Sequence, residues 1–313
     1  MAPGANEIGH RLSIRLRIAE GGFRDIVGIL ESETSLRKRD GSLAHFDPDD
    51  VAVWRKVVAP KDRAGHGAPL SLRIRDMEVA ANATWPAKEN ERLGDWILRA
   101  SGKFTMRANS VLPLGDPPYG NPGIDIHEAI SRVIAFYARH DLPAIFHIPL
   151  PTYFPLDELL GEQGWLQKIT ALVMVRDIGE AALPDESLGT WEINSAPTKE
   201  WLDVQGDHNV AEIMTSVPGT YAGLRVNGVL VAVGRGARHE KWWVLSRLFV
   251  HEDFRRKGAA RNLLNALLAA GQSEGATKSL LQVDEQNESA KNLYLAMGFV
   301  HHHSYTYRVQ NSD

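Results

Sequence analysis

The stretch from Leu245 to Phe299 leaves this chain few folds to choose from. Trp243, Leu245, Arg247 and Phe249 alternate with Val244, Ser246, Leu248 and Val250, the period-two pattern of a strand. A basic turn follows, Arg255-Arg256-Lys257-Gly258-Ala259-Ala260. Leu263, Leu264, Leu267 and Leu268 then recur at helical spacing, which predicts a helix from about Gly258 to about Ser273, with Gly271 and Gly275 around its end. Ser279–Val283 is a short apolar strand and Asn287 a candidate N-cap. Ala290, Leu293, Tyr294 and Met297 share one face of a second helix, which Gly298 ends, and Phe299 leads into a last strand through Tyr305, Tyr307 and Val309.

A strand that feeds a basic, small-residue turn at a helix start is an anion site. The first helical turn leaves backbone N–H groups unpaired, and the helix dipole puts partial positive charge there. Gly258, Ala259 and Ala260 let a phosphate approach the backbone, while Arg255, Arg256 and Lys257 add full charges. The expected ligand group is a pyrophosphate. Neither a P-loop nor the dinucleotide-binding glycine fingerprint is present.

These residues carry a resemblance. Arg255-x-x-Gly258-x-Ala260 is similar to the acetyl-CoA motif of the GCN5-related N-acetyltransferases (GNAT). Asn287-x-x-Ala290-x-x-Leu293-Tyr294-x-x-x-Gly298-Phe299 resembles the second half of that family's signature, in the right order and with the right elements between.

Composition narrows the field. The chain has 313 residues, a net charge of −4, 43% hydrophobic residues and no cysteine. That length suggests about two to three domains. The charge offers no case for nucleic acid or an anionic membrane as partner. Disulfides, thiolate metal sites and acyl-cysteine intermediates are excluded. No apolar run is long enough to span a bilayer and no signal-peptide core is present, so the expectation is a cytoplasmic protein.

Upstream, Leu12, Ile14, Leu16 and Ile18 alternate with polar residues, Ile26–Leu30 reads as a second strand with a bulge at Gly28, and Asp40-Gly41 turns between Ser35–Lys38 and Ser42–Phe46. Val51–Val58 completes a small SH3-like β-barrel over residues 1–60. Basic and acidic residues balance there, which argues against a phosphate-binding face and leaves a structural or substrate-covering role, with partner binding as the alternative. Residues 59–70 read as a linker.

Ser71–Ala83 and Ala87–Leu93 read as helices, Trp96–Ala100 and Phe104–Val111 as strands, and Ile126–Tyr137 as a helix. Ala144–Ile148, Leu156–Leu160 and Ile169–Arg176 then repeat the strand, helix and strand of the C-terminal region. Aligning Gly164-Trp165 with Gly298-Phe299 puts Leu160 on Tyr294. The phosphate turn is replaced by Pro113-Leu114-Gly115-Asp116-Pro117-Pro118, which has no basic residue and too much proline for a string of N–H donors. Residues 71–178 are therefore expected to be a degenerate GNAT-like half that buttresses an active half at 190–313. Residues 178–190 link the two, and Asn227-Gly228 is a hairpin turn between Tyr221–Val226 and Val229–Arg235. The expected class is α+β with a mixed sheet, a tandem GNAT fold preceded by the small barrel. Trp85-Pro86-Ala87, Leu93-Gly94-x-Trp96-x-Leu98-Arg99, Arg107-Ala108-Asn109-Ser110-Val111 and Gly115-Asp116-Pro117 extend the resemblance to bacterial two-halved acetyltransferases over nearly the whole chain.

The resemblance implies direct acetyl transfer from acetyl-CoA, as co-substrate, to an amine in a ternary complex. Arg255, Arg256, Lys257, Gly258, Ala259 and Ala260 would hold the pyrophosphate. Phe249, Val250 and Asn287 would meet the pantetheine arm where two strands splay, and an N–H near Phe249 would polarise the thioester carbonyl. Spacing alone makes Tyr294 a core aromatic, whereas the resemblance makes it the acid that protonates the departing thiolate. For the proton on the acceptor ammonium, Asp284, Glu285, Glu212 and a water chain stay open. Arg107 and Asn109 are candidates to line the acceptor site, against local pairing within the first half. His301-His302-His303 is not expected to hold a metal, because consecutive strand residues point to opposite faces. Trp242-Trp243 reads as core on one side and cover on the other. The acceptor is a small-molecule or protein amine that no motif specifies, and the oligomeric state is equally unencoded. The alternative function is an acyl-CoA-binding regulatory or scaffold protein with the barrel as partner module.

Overall fold

The computed structural model describes residues 2–19, 21–38, 40–57, 63–179 and 182–311. They fall into two compact units, Met1–Asp62 and Arg63–Asp313.

In the first unit, strands β1 (Arg11–Arg17), β2 (Phe23–Ser32), β3 (Ser35–Arg37), β4 (Leu43–His45) and β5 (Val51–Lys56) form one antiparallel sheet in the order β4-β3-β2-β1-β5. Leu12, Ile14 and Leu16 point inward with Ile26, Leu30, Leu36, Phe46 and Val51. Among the described residues no ladder joins β4 to β5, so the strands of the expected barrel are present as a sheet. Val58, the end of the expected last strand, lies outside the described residues, as do 59–62 of the linker. Gly28 is not a bulge. It pairs in regular register with Leu12, and a Cβ there would stand 2.4 Å from the Arg37 carbonyl oxygen, so β3 passes too close for a side chain. The register shift falls instead between Leu30 and Ser32.

The second unit opens with helix α1 (Leu70–Ala83). Residues 87–93 are not helical: Glu89–Leu93 is strand β6, in a hairpin with β7 (Trp96–Ala100). A charged, helix-favouring composition yields here to pairing with a buried strand. The strand expected over Phe104–Val111 is also absent. Asn109 donates to the Gly102 and Thr105 carbonyls and accepts from Ser101 N–H, tying those residues into a loop before the short β8 (Leu112–Pro113).

Helix α2 (Ile126–Arg139), β9 (Ile145–Leu150), α3 (Phe154–Glu162) and β10 (Leu166–Asp177) complete the first half. The second half runs β11 (Thr190–Asn194), α4 (Lys199–Gln205), α5 (Ala211–Thr215), β12 (Thr220–Val226), β13 (Val229–His239), β14 (Trp242–Val250), α6 (Ala259–Ser273), β15 (Lys278–Asp284), α7 (Glu288–Ala296) and β16 (Val300–Val309). Asn227 and Gly228 both have positive φ, 52° and 81°, as a type I′ turn requires.

The two halves do not stand side by side as separate sheets. One eight-stranded sheet runs β11-β12-β13-β14-β15-β10-β16-β9. The last strand of the first half, β10, lies against β15 of the second, and the last strand of the second, β16, lies against β9 of the first. β10 and β16 pair with each other between them. Within the segment β15-β10-β16-β9, exchanging β9 with β15 and β10 with β16 gives the same order read from the other end, so these four strands form an internal pseudo-twofold with swapped last strands. The ends of the halves also match. Trp165 N–H donates to Leu160 O and Phe299 N–H to Tyr294 O, both at 3.0 Å, with Gly164 and Gly298 at φ 83° and 80°.

Trp242 and Trp243 are both buried, on opposite faces of the sheet, so neither serves as cover. β16 has a register shift at His302, where Val173 pairs with His303 and Met174 with His301. His303 faces the interior and meets Glu78, His302 meets Arg73, and His301 meets Ser304. No metal-ligating cluster occurs among the described residues. Among them, too, no helix is long and apolar enough to cross a membrane.

Candidate active site

The site begins with what β14 does after Leu245. β14 and β15 run parallel and pair from Trp242/Lys278 to Leu245/Leu281, and no further. From Ser246 onward the edge of β14 that faces β15 is free. On the other edge, Val233 pairs with Phe249 and Arg235 with Ser246, so Arg247 and Leu248 together oppose Gly234. This is a β-bulge, and Arg247 takes the left-handed conformation at φ 56° to make it. For a residue with a side chain that conformation costs roughly 1–2 kcal/mol. The bulge bends β14 away from β15 and re-aims the side chains around it.

A cavity of about 720 Å³ opens along this free edge. Leu248, Phe249 and Val250 form one wall. Its end is the basic turn. Gly258 is the N-cap of α6 at φ 86° and gives no side-chain hydrogen bond, so the first N–H groups of the helix have no cap. The left-handed φ is the reason for glycine, since a Cβ would meet nothing closer than 3.6 Å. Arg256 is also left-handed, at φ 60°. The Arg255 side chain donates to the Val250 carbonyl at 3.0 Å, which fastens the turn to the end of β14.

The opposite wall comes from α7. Asn287 caps this helix, its side chain accepting from Ala290 N–H at 3.1 Å, and Ala290, Leu293 and Tyr294 face the cavity. Tyr294 is 8% exposed and packs edge-on against Phe299. Burial pushes its hydroxyl up to about 12, so it holds its proton across the neutral range. Among the described residues that hydroxyl has no hydrogen-bond partner, and it is available to a ligand.

Of the residues expected to hold the cofactor, Phe249, Val250, Arg255, Arg256, Gly258, Ala260 and Asn287 line this one cavity together with Tyr294. Lys257 and Ala259 do not. The Lys257 ammonium lies over the Phe254 ring, and Ala259 is packed into the core beneath α6. Arg261, Leu263, Ser289, Ala290 and Leu293 also line the cavity without having been singled out for it. Helical spacing carries the signal for them: Arg261 follows Gly258 by one turn, and Ala290 and Leu293 share the face of Tyr294. None of the proposed bases lines it. Asp284 turns back to accept from Gln286 N–H, Glu212 pairs with Lys88, and Glu285 is exposed.

A second cavity, of about 320 Å³, adjoins the same stretch of β14. Leu245, Ser246 and Arg247 line it, with Gln282 from β15 across the splay and Arg107 from the first half. Adjacent residues of the bulge, Arg247 and Leu248, therefore serve different cavities. Of the two residues expected to line an acceptor site, Arg107 lines this second cavity, whereas Asn109 is engaged within its own loop. An open helix start, a strand edge freed by a bulge and a buried tyrosine along one groove can hold a long anionic thioester and present its acyl group at the gap.

The family described as "Probable histone acetyltransferase Rv0428c C-terminal" matches residues 72–308. The chain belongs to this family. Over 312 residues it is 29% identical to the Mycobacterium tuberculosis protein described as a probable histone acetyltransferase, Rv0428c, spanning 95% of this chain and 93% of that one. It is 27% identical over 252 residues to YobR of Bacillus subtilis, described as an uncharacterized N-acetyltransferase, covering 76% of this chain and 98% of that one. Among solved structures, a GCN5-related N-acetyltransferase from Kribbella flavida superposes with a TM-score of 0.60 at 14% identity, over 77% of this chain and 96% of that chain. The protein is thus a GNAT-type acetyltransferase, and its fold is that of the GNAT enzymes.

Proposed function

We propose that the protein transfers an acetyl group from acetyl-CoA to a primary amine of a small molecule or a protein, by direct attack in a ternary complex. The observation that carries this reading is the continuous groove from the uncapped N-terminus of α6, along the free edge of β14, to Tyr294. The unpaired N–H groups of α6, with Arg255 and Arg256 beside them, suit the pyrophosphate. The free edge of β14 offers backbone partners to the pantetheine amides, and an N–H near the bulge suits the developing oxyanion, a contact worth about 3 kcal/mol.

The acceptor enters as an ammonium and releases one proton to solvent through water, since among the described residues no carboxylate lines the groove. The neutral amine attacks the carbonyl carbon, the C–N bond forms and the C–S bond breaks. The nitrogen then loses its second proton, and the thiolate receives one from Tyr294, which solvent reprotonates. One acetylated amine, one thiol and one free proton result. The unit Met1–Asp62 has a structural or substrate-covering role in this reading.

Thermal unfolding with and without acetyl-CoA tests it, on the parent and on Gly258→Glu. At about 100 times Kd, a ligand stabilises by roughly 2.7 kcal/mol. We expect an upward shift in the parent that vanishes when a glutamate carboxylate occupies the anion site. Tyr294→Phe should keep the shift and lose about 100-fold in kcat. No shift in the parent, or the same shift in Gly258→Glu, removes the cofactor from this groove.

A further inference from the structure

The smaller cavity is lined by donors, several of which find no acceptor among the described residues. Arg107 and Arg247 both lie against the indole of Trp85, their guanidinium carbons 5.8 and 5.1 Å from its ring centre. A third guanidinium, that of Arg235, is 6.0 Å from the same ring, but it is fully engaged with Thr84 O, Met214 O and the Tyr221 hydroxyl. Against these cations the described residues set one carboxylate, Asp207, whose oxygen is 3.7 Å from Arg247 and beyond hydrogen-bond range. Arg107 has no carboxylate partner among them; its guanidinium donates only to the neutral Tyr305 hydroxyl, which leaves its charge without a counter-charge. Burial, the dominant influence, pushes the Arg247 guanidinium down from its ordinary value. Asp207 opposes this, and the like charge of Arg107 adds to it.

The neutral groups point the same way. Trp85 Nε1, Ser246 Oγ and Gln282 Nε2 are buried and lack a hydrogen-bond partner, and all three residues line this cavity. Trp85 is only 3% exposed, so its N–H cannot turn to bulk water. The Gln282 side chain is oriented by the Tyr305 hydroxyl, which donates to Oε1 at 3.4 Å and leaves the amide N–H groups for the cavity. A buried donor without an acceptor costs about 1–3 kcal/mol. Several around one cavity, with two cations short of counter-charge, describe a binding site for an acceptor-only anion. Ser246 and Gln282 stand on the two strands that splay, so a ligand seated here has its other end at the gap.

We propose that the acceptor is a small amine that carries a carboxylate, of amino-acid size, whose carboxylate is bound by Arg107 and Arg247 while its amine faces the gap between β14 and β15. This rests on the acetyl-transfer reading and adds a substrate class to it. A lysine in a basic protein tail would bring positive charge to a cavity that already holds two cations, so the arrangement selects against that acceptor. A planar two-oxygen anion also suits the guanidinium fork.

Two readouts separate this inference from the reading beneath it. The first needs no coenzyme: N-acetyl derivatives of the common amino acids, the products of the proposed reaction, are added to the whole protein and compared with their C-terminal carboxamides by thermal shift. We expect a saturable shift from at least one carboxylate and none from its amide, lost in Arg107→Gln and weakened in Arg247→Lys. The unchanged acetyl-CoA shift of both variants shows that they fold. The second compares acetyl-CoA turnover on free amino acids with that on their decarboxylated amines and on aminoalkyl phosphonates. The carboxylates should be favoured, and Arg107→Gln should raise their KM roughly 10–100-fold, since a hydrogen bond to a charged group is worth about 1.5–3 kcal/mol. Amides or decarboxylated amines serving as well as carboxylates, or phosphonates serving better, overturns the proposal. A carboxylate shift without an acetyl-CoA shift would retain this site and reject acetyl transfer in the groove. The reverse would reject the carboxylate site alone.

Discussion

Two helices begin in equivalent places and are capped differently. α2 in the first half is closed by Asp125, whose carboxylate accepts from His127 and Glu128 N–H at 2.9 and 3.2 Å. α6 in the second half is capped by a glycine with no side chain to offer. The first half has satisfied its own helix N-terminus with a built-in anion, whereas the second leaves the same backbone donors for a ligand. The tyrosine position repeats the contrast. Leu160 is fully buried and packs with the core, while Tyr294, making the same backbone bond to the residue after its glycine, borders a cavity. The two halves keep one fold, while a carboxylate at one cap and a hydroxyl at one core position distinguish a closed helix start from an open one.

The largest expected effect concerns whether the halves are separable. Residues 182–313 expressed alone should not fold, because β16 loses both neighbours and β15 loses β10. Far-UV circular dichroism and hydrogen exchange would report this, with recovery on co-expression with residues 63–179. A folded, protected fragment would show that the exchange is dispensable.

The next effect concerns the polar contact that bridges the halves. Glu78 of α1 is 1% exposed and lies 3.0 Å from His303 Nε2 of β16 and 3.2 Å from His147 Nε2 of β9, the latter a close contact without hydrogen-bond alignment. Burial pushes its carboxyl up, but His147 and His303 outweigh it and hold it well below the carboxylate range. Glu78→Ala leaves the histidines unpartnered and should cost about 3–5 kcal/mol in chemical denaturation. The sign with pH follows from the depressed value. The contribution is present above the ordinary carboxylate value of 4.5 and is lost as pH falls below it, so parent and variant should converge in acid. An unchanging gap down to the acid limit would remove Glu78 from the account.

The smallest effect sharpens the contrast between the helix starts. Asp125→Ala should cost about 1 kcal/mol, a fall of about 2–4 °C in Tm, and leave the acetyl-CoA shift untouched. A change in that shift would mean that the first half participates in coenzyme binding.

Local signals made most of the groove legible. The turn, the helix starts and the Asn287 cap each depend on residues within a few positions of one another, and periodicity fixes which faces meet. What depended on partners far along the chain was not legible. Glu89–Leu93 has the composition of a helix and becomes a strand only because β7 pairs with it. The loop at 102–110 depends on one asparagine with three backbone partners. The exchange of β10 and β16 leaves no trace in either strand, since nothing in a strand's own residues says which distant strand will pair with it. The donor-lined cavity draws Trp85 and Arg107 from one half and Arg247 and Gln282 from the other, a meeting that only the shared sheet brings about.

That exchange also sets an order of events during synthesis. A chain emerging from the ribosome completes β9 and β10 long before β15 and β16 exist, so the first half must wait with an open strand edge. Its own last strand is reserved for a neighbour not yet made, and β16, which will cover it, is the last described strand to appear. A chain interrupted anywhere before Val300 therefore leaves two unfinished halves rather than one finished and one missing. Such a product would present bare strand edges, the kind of surface that chaperones and proteases recognise.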